Sequence, residues 1–63
     1  MINATQNEQL ALKIFEEMTL HASKSLRDQA QRLQNEILDG SYDAEYVDRV
    51  WMILEEAKEL FEE

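Results

Sequence analysis

Cysteine and proline are absent from this chain of 63 residues, and Gly40 is its single glycine. Without cysteine there is no disulfide to brace a small fold, no thiol nucleophile and no cysteine-ligated zinc. The one histidine, His21, is too little to build a metal centre. With no proline and one glycine, turn punctuation is almost missing, which favours a few long helices over many short strands. Long hydrophobic runs are missing too. The longest, Val50-Trp51-Met52-Ile53-Leu54, falls far below the roughly 20 residues that span a bilayer. Met1-Ile2-Asn3-Ala4-Thr5 lacks the basic segment and apolar stretch of a secretory signal, so the expectation is a cytoplasmic protein without membrane association. Positive charge is scarce: six Lys and Arg stand against fourteen Asp and Glu, a formal net charge of −8.

What is present is enough for a fold. At 44% hydrophobic and 32% charged residues the chain is too apolar for simple disorder. It reads as one small helical domain over 1–63. A domain of this length buries only roughly 60% of the surface its unfolded form exposes, so the core is marginal. Good helix packing or self-association must then supply the stability that disulfides and metals do not.

Thr5-Gln6-Asn7-Glu8 has the Thr-x-x-Glu form of a capping box, which satisfies two free amides at a helix start. Apolar residues then recur at Ala11, Phe15, Met18, Ala22, Leu26, Ala30, Leu33 and Ile37, a helical period uninterrupted by Pro or Gly. Asp39-Gly40 closes the segment, with the glycine expected to take the left-handed conformation beyond the helix end. Asp43 is the better N-cap for the next helix and Ser41 the alternative; Tyr42 and Val47 suit a hydrophobic staple across that cap. From Tyr46 to Phe61 the second apolar stripe is so wide that it must contact two neighbours.

Two all-α architectures follow. In the first, a long helix over about 5–38, a turn at 39–42 and a helix over 43–62 form a helical hairpin. Its first arm would be about 50 Å long and its second about 30 Å. Such unequal arms leave apolar surface wet, so the hairpin is expected to pair as a homodimer into a four-helix bundle. In the second, the long helix breaks near 20–25, where Thr19, His21, Ser23 and Ser25 cluster. Ser25-Leu26-Arg27-Asp28 then starts a further helix and the chain is a three-helix bundle. The hairpin is the leading expectation.

Catalysis needs groups that converge in a pocket with shifted pKa values. His21 has only Glu17 beside it, and the four-residue spacing is not the Glu-x-x-His of carboxylate-bridged metal bundles. Ser23 and Ser25 have no base and no glycine-rich elbow, and Gly40 alone makes no phosphate loop. The chain therefore reads as non-enzymatic, with no cofactor, no metal and no small-molecule substrate.

Charge says more. Residues 1–42 hold six acids and four bases, whereas residues 43–63 hold eight acids and two bases. Glu55, Glu56, Glu59, Glu62 and Glu63 crowd the end of the second helix, where the helix dipole disfavours them by a few tenths of a kcal/mol each. Asp48, Glu55, Glu59 and Glu62 form a row that could steer a basic protein or imitate a nucleic-acid backbone. Leu20 and Leu38 project off the first stripe and Met52 off the second, next to Trp51; aromatic and Met side chains are enriched at protein contacts. The expected function is a small acidic interaction module, a regulator or inhibitor of a protein with a basic surface. Its expected contact residues are Leu20, Asp48, Trp51, Met52, Glu55, Glu59 and Glu62.

The rival is direct RNA or DNA binding by Lys13, Lys24, Arg27 and Arg32, set among Gln31, Gln34 and Asn35. In length and helix count the chain resembles the small RNA-binding helical-hairpin dimers that control plasmid copy number, although it shares no motif with them. Asp28 is placed to neutralise Lys24 and Arg32 at i,i+4 spacing. A structural subunit of a larger assembly is the third class.

Overall fold

The first segment does not run unbroken. In the computed structural model, which describes residues 4–62 with side chains from residue 6 onward, it divides into α1 (Ala4–Leu20) and α2 (Lys24–Asp39). The last helical bond of α1 runs from the His21 amide to the Glu17 carbonyl, 2.9 Å, and the Thr19 hydroxyl donates back to the Glu16 carbonyl. Such back-bonding competes with helix continuation. Ser23 is extended, with φ −146° and ψ 151°, and N-caps α2. Its Oγ accepts from the Leu26 amide at 3.2 Å and its carbonyl from the Arg27 amide at 3.1 Å. The break therefore lies inside the expected window, but the cap is Ser23 and not Ser25. Ala22 keeps the period of the stripe but is exposed in the connection.

The second corner follows the sequence more closely. Asp43 caps α3 (Ala44–Glu62): its Oδ1 accepts from the Tyr46 amide at 2.9 Å and its carbonyl from the Val47 amide at 3.1 Å. Gly40, however, is extended at φ −81° and ψ 165°, not left-handed. Its missing side chain matters for another reason, since a Cβ there would collide with the Tyr42 ring. That ring stacks at a tilt on Tyr46, with centroids 5.1 Å apart, so Tyr46 is a partner of Tyr42 across the cap; Tyr42 and Val47 both pack against the core. The proposed Thr5 cap lies outside the described side chains; α1 is already helical at Ala4.

These corners make a three-helix bundle, and the leading expectation of a helical hairpin pairing into a four-helix bundle is corrected. The body is 32 Å in its longest dimension, so the 50 Å arm does not exist. The core takes Ala11, Ile14 and Met18 from α1, and Leu26, Ala30, Leu33 and Ile37 from α2. Tyr46, Val50, Leu54 and Ala57 come from α3. The alanines, fully buried, let the helices approach closely. The wide stripe of α3 does contact two neighbours, as its width required, but both belong to the same chain. The first turns of α1 and α3 meet through Asn7–Tyr42 and Glu8–Arg49 contacts, so these two helices run in the same direction, with α2 antiparallel to them. No helix among the described residues is long and apolar enough to cross a membrane.

Because Ser23 holds the cap, Ser23→Ala is expected to cost about 1 kcal/mol in urea unfolding, the ordinary value of an N-cap. Ser25→Ala is expected to stay within about 0.5 kcal/mol of the parent, as exposed substitutions do.

Candidate functional site

The outer face of α3 is built by what its bases do. Steps of four and three place Asp48, Met52, Glu55, Glu59 and Glu62 in one row, directly away from Val50, Leu54 and Ala57. Glu45 and Glu56 lie beside that row and are exposed. The helix has two bases, and both turn aside. Arg49 reaches α1, where its guanidinium donates to Glu8 at 3.2 Å while lying 5.7 Å over the Tyr46 ring. Lys58 reaches α2, and its ammonium donates to Gln31 Oε1 at 2.9 Å, Gln34 Oε1 at 3.0 Å and Glu55 Oε1 at 3.3 Å. Three acceptors use all three protons of the ammonium. The outer row is left with acids and one methionine.

On the α2 side the same contacts form a polar network. Gln34 is fully buried, yet both ends of its amide are satisfied: the oxygen by Lys58 and the nitrogen by donating to Glu55 Oε1 at 3.1 Å. A buried amide left unpaired would cost roughly 1–3 kcal/mol, so this arrangement penalises any slip of α2 along α3. The hydrogen bond from Gln34, then that from Lys58, holds the Glu55 carboxyl below the usual glutamate range. At the other end of the bundle Asn7, also buried, donates to the Tyr42 hydroxyl at 3.0 Å. Burial pushes the neighbouring Tyr46 phenol above its ordinary value, against the lowering effect of Asn7.

The expected contact residues are therefore not one patch. Asp48, Met52, Glu59 and Glu62 share the outer face of α3, with Met52 58% exposed. Glu55 belongs to the row but is committed to Gln34 and Lys58. Trp51 is half-buried and packs against the core on the side facing α2. Leu20 is 77% exposed, but it ends α1 and lies on a different helix from the row. Glu63 lies outside the described residues. Periodicity missed Gln34 and Asn7, since a search for apolar positions passes over buried amides. Their only sequence signal is that each falls on the inward face of its helix.

The basic residues of the rival reading are divided by the break. Lys13 stands on α1, and Lys24, Arg27 and Arg32 stand on the antiparallel α2. Asp28 lies 3.9 Å from Arg27, rather than bridging Lys24 or Arg32 as its spacing suggested. His21 sits exposed in the break. Among the described residues no group of three or more His, Asp or Glu is placed to hold a metal ion. An open hollow of about 380 Å³ at the start of α3 is lined by Ser41, Tyr42, Asp43, Glu45, Tyr46 and Arg49. No family model, curated protein or solved structure matches the chain. The likeness to helical-hairpin dimers ends with the third helix.

The depressed Glu55 carboxyl sets a pH dependence. Its folded-state value lies below its unfolded one, so its stabilising contribution is complete above the unfolded value and is lost as pH falls through the folded one. Glu55→Gln is therefore expected to be less stable than the parent at pH 7. The difference between the urea unfolding curves of the two proteins should shrink as pH falls below the ordinary glutamate range.

Proposed function

We propose that this chain is a binding module that regulates or inhibits a partner protein with a basic surface, of the kind that handles nucleic acid, and that it acts without turnover. The observation that carries the reading is the departure of Arg49 and Lys58 from the outer face of α3. Both bases bind sideways to the other helices, so Asp48, Glu59 and Glu62 face outward with no base in their row, while Arg49, half-exposed, stands one turn from Glu45. Charge of one sign on one face accelerates encounter with the opposite sign and rejects like-charged partners. A second copy would bring the same acids together, so the partner in this reading is a different protein.

The face suits contact with a protein better than imitation of a phosphate backbone. Met52 stands within the acidic row and offers an adaptable apolar contact. With Glu55 drawn toward α2, the row has a gap of about 16 Å along the helix between Asp48 and Glu59, at 1.5 Å per residue. A duplex strand carries a phosphate about every 3.4 Å of axis.

The test combines charge reversal with salt. Asp48→Lys, Glu59→Lys and Glu62→Lys should each weaken partner capture about three- to tenfold at low salt, with smaller losses at high salt. Gel shifts with structured RNA and duplex DNA should show no binding by the parent chain. A shift that disappears in Lys24→Ala and Arg27→Ala would transfer the function to the rival nucleic-acid class.

A further inference from the structure

The flank between α2 and α3 is a ladder whose rungs change character. Gln31 meets Lys58 and Gln34 meets Glu55, the two partners stepping by three residues in opposite senses along antiparallel helices. One turn further toward the corner, the same register brings Leu38 level with Trp51. Here the polar network gives way to apolar surface. Leu38 is 61% exposed, and Trp51 is packed against the core on one side and open on the other. The seam runs between two helices, the shape against which a third amphipathic helix lies.

Its surroundings carry one sign of charge. Asp48 and Glu55 stand one turn before and after Trp51, and Asp39 follows Leu38. The nearest base of α3 on this flank, Lys58, is occupied by Gln31, Gln34 and Glu55, and Arg49 faces α1. A second copy at a net charge of −8 would meet repulsion at this seam. A helix with an apolar stripe bordered by lysine or arginine complements both features.

We infer that the Leu38–Trp51 seam seats the apolar stripe of a basic amphipathic helix from a partner protein, with the acidic row of α3 meeting that helix's charges. This rests on the reading of α3 as an acidic docking face and adds to it an apolar anchor, a location and the secondary structure of the ligand.

Trp51 is the sole tryptophan, so its emission reports on the seam directly. The probes are two synthetic Leu/Lys peptides of about 18 residues, or five helical turns. They have equal composition: one places leucine at helical spacing, and the other alternates leucine with lysine. Titrated into the full chain at low salt, the helical peptide should shift Trp51 emission to shorter wavelength and bind at least about tenfold more tightly than the alternating one. Leu38→Asp should abolish that preference while leaving the thermal midpoint in place; Leu38→Gln should do the same with no added charge. Glu59→Lys should weaken both peptides alike. If both peptides bind equally and Trp51 emission stays fixed, the seam is refuted while the acidic docking face stands. If neither peptide binds, both the seam and the acidic docking face are overturned. An emission shift that appears with protein concentration alone, together with a doubled sedimentation mass, would assign the seam to a second copy and also refute the inference.

Discussion

The reversal of the chain at His21–Ser23 is the constraint on which the rest of the molecule depends. A single helix through this point would present one face to α3 and leave the other side of α3 uncovered. With the chain turned back at Ser23, α1 and α2 lie on either side of α3, and its broad apolar stripe is covered from within. The turn sacrifices a few helical hydrogen bonds. The Ser23 side chain satisfies the Leu26 amide, one of the free amides in the first turn of α2, and the Ser23 carbonyl accepts the first helical bond, from Arg27. Buried area gained along two helix interfaces outweighs that local loss, since each large apolar side chain buried contributes about 1.5–3 kcal/mol.

The polar contacts between helices have a second effect beyond register. Arg49 and Lys58 could have pointed outward and balanced the acids around them. Instead each spans to a neighbouring helix, where Glu8, Gln31 and Gln34 receive its protons. The bonds that align α3 with α1 and α2 are therefore the same bonds that leave its outer face negative. Stability and surface charge are set by one group of residues, so a change at Lys58 alters both.

Much of this architecture was legible because its signals are local. Asp43 reads as a cap from its place before an apolar run, and the structure puts the cap there. The inward positions Ala11, Met18, Leu26, Ala30, Leu33 and Ile37 follow from a period of 3.6 and are buried. The break was harder to see for a physical reason. Ala22 keeps the period between Met18 and Leu26, so the pattern passes straight through a point where the chain reverses. Only the weak helix formers around it disagree. The docking face was legible in composition but not in detail: a sequence shows that Glu55 lies in the acidic row, not that a glutamine on another helix occupies its carboxylate. Gly40 shows the same limit. Its identity signals a corner, but the reason for it is the Tyr42 ring rather than a left-handed backbone.

The pairing of α1 with α3 also bears on the order of assembly. Between α2 and α3 the chain has only residues 40–43 to close, and the contacts that follow are near in sequence. Asn7 must find Tyr42, and Glu8 must find Arg49, across the whole of α2. Loop-closure entropy rises with the length enclosed, and distant contacts slow folding. Contacts between neighbouring helices, α1 with α2 across residues 21–23 and α2 with α3 across residues 40–43, are expected to form before those between α1 and α3. On that route the Lys58 network precedes the Tyr42–Tyr46 corner's contact with Asn7, and the α1–α3 interface is the last to close.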